Sequence, residues 1–259
     1  MVNADFWERL LDQIGKPGIE LQIKVITFNM HHGRGIDGKL NLNRIAEAVE
    51  ESEADFIALN EVDRYFSKRS GYMDQVSWLA ERLKMQSAFG AAITLKQQDS
   101  SVIRQYGNAL LSRHPIVSSM NHLMDFGMME GRSLLEADML MIDRPLKMYV
   151  THLSLNPGIR HKQIDFIAGK ITKDRPPVII AGNWNMKRGG KAWRKIAGIF
   201  QDCYLATQTS CNTFPSLRPV LQIDYIFTSR DIDVVSVEVI KKIPAASDHL
   251  PLIATLILN

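Results

Sequence analysis

Apolar, β-branched runs alternate along this chain with stretches whose apolar positions recur at helical spacing. Leu21 to Asn29 is apolar nearly throughout and predicts a buried strand. Leu42, Ile45, Ala46 and Val49 fall at i, i+3, i+4 and i+7, a helix with Asn41 or Asn43 available as N-cap. Phe56 to Leu59 reads as a short buried strand and Met73 to Leu83 as a second amphipathic helix. Ala109 to Leu111, Ile116 to Met120, Ser133 to Met141 and Leu146 to His152 read as strands, parted by turns such as His114-Pro115 and Asp143-Arg144-Pro145. The last two predict an antiparallel hairpin. A helix over Arg160 to Ile171, a strand over Pro177 to Ala181 and a helix over Gly190 to Ile199 follow. Strands beginning near Gln222, Val234 and Pro251 complete the pattern. Many strands with a few moderate helices predict an α+β fold of mixed sheets flanked by helices.

At the start, Phe6, Leu10, Leu11 and Ile14 have helical spacing that Gly15-Lys16-Pro17-Gly18 ends. Residues 1–19 are therefore expected to be a helical extension, and residues 20–259 a single domain. No internal repeat or linker-like stretch divides it. The composition, 46% hydrophobic and 23% charged over 259 residues, is that of a soluble globular protein. No apolar run approaches the roughly 18 residues that span a bilayer, and no basic start leads into a continuous apolar block. Cys203 and Cys211 form neither a CxxC pair nor a disulfide framework, so two reduced thiols in a cytoplasmic protein are expected. The net charge of +3 suits an anionic ligand without requiring one.

The chemistry gathers where predicted strands end. Asn29 closes the first, Glu61 the second and His152 the hairpin strand. Asn183 and Asn185 follow Val178-Ile179-Ile180-Ala181-Gly182, Asp224 lies in Gln222-Ile223-Asp224-Tyr225-Ile226, and Asp248-His249 precedes the last strand. A lone polar residue at a strand end is usually a cap or a turn-former. Carboxylates, amides and imidazoles at so many ends, almost without a Ser or Cys nucleophile, point to a built site.

In order and spacing these elements resemble the metal-dependent endonuclease/exonuclease/phosphatase superfamily. The resemblance rests on Thr27-Phe28-Asn29, Asn60-Glu61-Val62-Asp63, Tyr106-Gly107-Asn108-Ala109-Leu110-Leu111-Ser112, Thr151-His152-Leu153, Gly182-Asn183-Trp184-Asn185, Asp224-Tyr225-Ile226 and Ser247-Asp248-His249-Leu250-Pro251. Asn29-Met30-His31-His32-Gly33-Arg34-Gly35 looks most like bacterial members near the sphingomyelinase branch. The resemblance implies a four-layer α/β/β/α sandwich, Mg²⁺ or Mn²⁺ as cofactor, and hydrolysis of a phosphate ester by direct water attack. It implies Glu61 as the main metal ligand, assisted by Asn29 and Asp248. His152 and Asn185 would hydrogen-bond the phosphate, and His249, held by Asp224, would orient or deprotonate the water. Asn108 is expected to meet substrate, and Arg132, with Glu130, either to reach the substrate phosphate or to form a salt-bridged turn.

One position departs from the pattern. The family usually carries Asp where this chain has Asn183. A carboxamide aligns water but cannot take its proton. An introduced substitution, a natural protein of weakened activity and a base supplied elsewhere all fit this change. The expected function is a metal-dependent phosphoesterase, and the alternative is a non-catalytic binder of phosphorylated ligands or nucleic acid. Lys187, Arg188, Lys191, Arg194 and Lys195 around Trp193 could grip a nucleic-acid backbone, but such a run is more often a solvated helix face. With no long insertion and little net charge, a small phosphoester or lipid headgroup is favoured over DNA, and a monomer is expected. Lys68 and Arg69 are expected in a mobile loop without a role. His31 and His32 would point oppositely on extended chain, so at most one would approach a metal.

Overall fold

The computed structural model describes residues 20–96, 101–126, 130–142, 144–172, 177–207 and 211–259. The expected helical extension, residues 1–19, lies outside the described residues. Among the described residues, twelve strands form two six-stranded sheets. The first contains β1 (Leu21–Asn29), β2 (Phe56–Arg64), β3 (Gln86–Leu95), β4 (Arg104–Ser112), β11 (Ile232–Val239) and β12 (Leu252–Leu258), in the order β11-β12-β1-β2-β4-β3. The second contains β5 (Ile116–Leu123), β6 (Ser133–Met141), β7 (Arg144–His152), β8 (Val178–Asn183), β9 (Gln201–Asp202) and β10 (Asp224–Thr228), in the order β5-β6-β7-β8-β10-β9. Only β1–β2 and β7–β8 pair in parallel; the other pairs are antiparallel, so both sheets are mixed.

Three apolar layers make this a four-layer sandwich. One lies between the sheets, one joins the first sheet to α1 (Leu42–Glu50) and α2 (Gln75–Leu83), and one joins the second sheet to α3 (Pro157–Ile171) and α4 (Lys191–Ala197). Strand alternation sorts the side chains. In β1, Ile23 and Val25 enter the inter-sheet layer while Ile26 and Phe28 face the helices. In β2, Phe56 and Ala58 face inward, and Ile57 and Leu59 outward. In β8, Ile179 and Ala181 face inward, and Val178 and Ile180 outward. Burial on both faces is why these strands read as unbroken apolar runs.

The caps explain the helix boundaries. Asn41 accepts the Arg44 backbone N–H and starts α1. Asp74 accepts the Ser77 N–H, so α2 begins at Gln75 rather than at Met73. Asn156 accepts from Gly158 and Ile159 and draws α3 back to Pro157. The edge strand β3 is absent from the sequence reading, because its half-exposed segment of small residues shows no clean alternation. Strand β2 runs past Leu59 to Arg64 through a register shift between Leu59 and Val62. A short α5 (Cys203–Thr207) also has no sequence signal. Cys203 and Cys211 are buried in the inter-sheet layer and not joined by a disulfide. No helix among the described residues is long and apolar enough to cross a membrane.

Under α3, the helix-facing side of the second sheet holds a compact ion network. Glu136 accepts from Lys147 at 2.5 Å and from His122 Nε2 at 2.7 Å, with Lys170 at 3.3 Å. Burial alone would raise the Glu136 carboxyl, but the cations around it outweigh burial and hold it at about 2, below its ordinary 4.5. Ionisation is therefore more favourable in the folded state. The stabilisation is complete above about pH 4.5 and is lost as pH falls toward 2. Glu136→Gln should cost about 1–3 kcal/mol at neutral pH by stranding these donors. The gap between parent and variant in urea unfolding should close as pH drops through that window; a constant gap would refute the assignment.

Candidate active site

The alternation that builds the inter-sheet layer also aims the polar strand ends. Counting in twos from inward-facing residues brings Asn29 after Val25, Asn60 after Ala58, His152 after Val150, and Asn183 after Ala181. Asp224 and Ile226 share the inward face of β10, as do Asn108 and Leu110 of β4. Asp224 opens its strand rather than closing it. Because β10 runs antiparallel to β8, its first residue pairs with Asn183. For the same reason Asp248 and His249 lie just before β12, beside the end of β1.

Asn60 ties this end of the sandwich together. Its side-chain N–H groups donate to Asn108 Oδ1 at 2.8 Å and to the Thr151 carbonyl at 3.0 Å. Its Oδ1 accepts the Asn183 backbone N–H at 2.8 Å. Asn108 in turn donates to the Ser133 carbonyl and hydroxyl at 3.0 and 3.2 Å. The Asn108 amide, expected at the substrate, is thus engaged at both ends inside the seam. Beside it, Gly182 is required by close approach: a Cβ there would sit 1.9 Å from the Thr151 carbonyl oxygen.

Glu61 would face the helices by simple alternation, but the β2 irregularity and its own φ of +59° re-aim it. Its Oε1 accepts from Asn29 Nδ2 at 3.0 Å, and its Oε2 lies 3.7 Å from His32 Nδ1. Burial penalises its charge, yet His32, His152 and Asn29 outweigh burial and hold the carboxyl far below the usual range. Asn29 also accepts the His31 backbone N–H at 3.1 Å, and its own carbonyl accepts from the Ser247 hydroxyl at 2.7 Å. That hydroxyl is 3.2 Å from Asp248 Oδ1, so Asp248 joins the group through Ser247. An ionised, partly exposed carboxylate beside an amide, with a second carboxylate joined to the group through Ser247, suits a hard divalent cation.

On the other sheet, Asp224 Oδ2 holds His249 Nδ1 at 2.8 Å and also accepts from the Thr213 hydroxyl. Burial disfavours charge on His249, but Asp224 outweighs it and raises the imidazole above the ordinary histidine value. Phe214 packs on the His249 ring with centroids 4.8 Å apart. Asn183 turns its amide nitrogen toward that ring at 3.4 and 3.5 Å, and its Oδ1 accepts the Asn185 backbone N–H at 3.1 Å. Asn185, at φ +48°, donates to the Leu153 carbonyl at 2.9 Å and lies 3.3 Å from His152 Nε2. Burial and then the Arg132 charge press His152 down to about 3, so it is a neutral hydrogen-bonding group. Arg132 is itself buried and pairs with Glu130 at 3.0 Å.

Three sequence expectations change. Arg69 is not in a structureless loop: it lies in a short 3₁₀ turn and clasps the buried Asp63 at 2.8 and 3.0 Å. His31 and His32 are not on extended chain, since φ values of +45° and +44° bring both rings to one side. Trp193 is no free stacking surface, because its indole N–H donates to Asp202 at 2.8 Å and its ring packs on the outer core. Asn60 and Thr213 escape the sequence reading; only Asn60 carries a signal, as the last inward position before Glu61.

A profile of the endonuclease/exonuclease/phosphatase family matches residues 26–249. The chain belongs to this family. Its fold is similar to that of a family protein from Beutenbergia cavernae, at 25% identity over 92% of this chain and 72% of that one, with a TM-score of 0.76. A mannosyl-6-phosphatase from Bacteroides thetaiotaomicron aligns at 15% identity over 90% of this chain and 99% of its own, with a TM-score of 0.74. The human nocturnin catalytic domain, with bound sulfate anion, aligns at 20% identity, covering 92% and 95%, with a TM-score of 0.69. Most members of the family are hydrolases acting on phosphoester bonds, generally with a divalent metal.

The seam yields a stability prediction. Asn60→Leu keeps the branched shape but strands the Asn183 N–H and the Asn108 carbonyl in a dry interior. It should cost about 2–4 kcal/mol in denaturant unfolding, and a loss below about 0.5 kcal/mol would show that Asn60 does not join the sheets.

Proposed function

We propose that this protein is a divalent-metal-dependent phosphoesterase that hydrolyses a phosphodiester or phosphomonoester by direct attack of water. The carrying observation is the convergence of Glu61, Asn29 and His249 from the first sheet with His152, Asn185 and Asp224 from the second, where His249 meets Asp224 across the seam. A metal held by Glu61, with Asn29 and Asp248, would polarise the phosphoryl oxygen and stabilise the leaving oxyanion. Neutral His152 and Asn185 would hydrogen-bond the phosphate as charge builds on it. Arg132 would add positive charge at the same end, and Asn108 would act through Asn60 by fixing the seam. Asn183 would align the water, and His249, backed by Asp224, would orient or deprotonate it.

For the substrate we favour a small phosphoester or lipid headgroup over DNA. Leu155, Leu217 and Val220 stand 73%, 66% and 60% exposed on segments bordering the site. A cavity of about 360 Å³ opens beside Asn185, lined by Arg160, His161, Lys187 and Lys191 with no carboxylate. An exposed apolar side chain, Leu155, at the rim of a cationic hollow suits a headgroup at a lipid surface. Two buried cysteines not joined by a disulfide suit a reducing cytoplasm. Asn183 supports a second reading, a non-catalytic binder of phosphorylated ligands, because the carboxylate usual at this position is missing.

The activity is tested on nucleic acid, phosphoinositide and sphingomyelin substrates with and without metal. Asn183→Asp should raise kcat by about 10²-fold with KM little changed, and the gain should vanish in Glu61→Ala. Ligand binding without metal-dependent turnover by the parent or the Asp variant would favour the binder. Leu155→Asp with Leu217→Asp should slow turnover of vesicle-borne substrate about tenfold while leaving a soluble phosphodiester unaffected. Equal loss on both would remove the lipid reading.

A further inference from the structure

His31 and His32 do more at this site than the general reading requires. With Gly33 they form three successive residues at positive φ, +45°, +44° and +77°, two of them bearing side chains that pay a steric penalty there. The turn is held firmly. The Gly33 N–H donates to the Met30 carbonyl at 2.8 Å, the Met30 N–H to the Asn60 carbonyl at 3.1 Å, and Gln75 Nε2 to the His32 carbonyl at 2.7 Å. A surrounding structure that maintains local strain next to a reactive carboxylate points to a use for the strained side chains.

Their placement indicates which use. The two rings meet edge-to-face with centroids 4.4 Å apart. One ring nitrogen from each and one oxygen of Glu61 all lie within 4.8 Å of one another, the one such cluster of three among the described residues. His31 Nδ1 donates to the Arg34 carbonyl at 3.2 Å, which fixes the ring and leaves Nε2 with a free lone pair. His32 Nδ1 is buried with no hydrogen-bond partner, 3.7 Å from Glu61 Oε2. A buried ring nitrogen facing a carboxylate at that distance is positioned as a ligand atom.

We propose that His31, His32 and Glu61 form a three-ligand site for a divalent transition-metal ion, so that this protein selects Mn²⁺, Co²⁺ or Zn²⁺ over Mg²⁺. The inference rests on the reading that Glu61 holds the metal, and it adds the identity of the ion. Mg²⁺ keeps to oxygen donors and sheds water reluctantly. Imidazole nitrogen suits the later ions, whose affinity rises from Mn²⁺ through Co²⁺. Two imidazoles beside one carboxylate therefore tilt a site that would otherwise be all oxygen.

The test is metal binding to the metal-free full chain, measured by calorimetry with Mg²⁺, Mn²⁺ and Zn²⁺ separately. Zn²⁺ and Mn²⁺ should bind at least about tenfold more tightly than Mg²⁺. His31→Asn and His32→Asn, chosen because Asn tolerates the left-handed backbone, should each weaken Zn²⁺ and Mn²⁺ about tenfold or more and leave Mg²⁺ within about threefold. Pulsed EPR of the Mn²⁺ form should show ¹⁴N coupling from bound imidazole, reduced in either variant. His31 is half-buried, so His31→Asn decides the matter if His32→Asn does not fold by circular dichroism. Unchanged Zn²⁺ and Mn²⁺ affinity in a folded histidine variant, or no ¹⁴N coupling in the parent, overturns the proposal. Glu61→Gln separates the two levels. If it abolishes binding of all three ions while the histidine variants bind normally, only the histidine ligands fall. If it leaves every ion bound as before, the metal reading of Glu61 falls with them.

Discussion

At the seam between the two sheets, one carboxamide meets three strands at once. Asn60 of β2 donates to Asn108 on β4 and to the Thr151 carbonyl on β7, and accepts the Asn183 N–H at the end of β8. The group is fully buried. In a dry interior each of these partners would carry a large desolvation penalty if left alone, so the sheets can close here only in the register that satisfies all of them. That register sets where everything else stands. Asn183 is fixed by its own backbone, Asn185 follows through the bond to Asn183, and Glu61 is the residue next to Asn60 in the chain.

The remainder of the site follows from how alternation is kept and where it is broken. Kept, it carries Asn29, His152, Asn183 and Asp224 to the same inward face as the apolar layer that holds the sheets together. The hydrophobic core is thus the jig for the polar groups at its rim. Broken once, at the β2 irregularity, it turns Glu61 from the helix side to the opening. A second break, the left-handed turn after Asn29, brings both histidines toward the same carboxylate. Both departures place chain at positive φ, where ordinary side chains are disfavoured, and both lie beside the group expected to hold the metal.

Charge is apportioned across the seam. Glu61 stays ionised because its neighbours are imidazoles and an amide. His152 is kept neutral by burial and Arg132, while His249 is drawn toward its charged form by Asp224. Two histidines of one site are thus pushed in opposite directions by their surroundings. Asn183 sits between the Asp224–His249 pair and Asn185 and adds no charge of its own.

Much is legible in the chain itself. Doubly buried strands such as β1 and β8 announce themselves as apolar runs, α1 carries its Asn41 cap, and the family motifs fall in order at strand ends, because these depend on neighbours in sequence. The edge strand β3 is not legible, since an edge lacks the two-sided burial that writes a pattern. Nor is the role of Asn60, whose partners lie 48, 91 and 123 positions away. The sequence determined which residues end the strands and therefore which chemistry is available. Only the tertiary structure decided which of them meet, because antiparallel pairing brings the start of β10 beside the end of β8, and two positive-φ breaks override the alternation that sequence alone would extend to His31, His32 and Glu61.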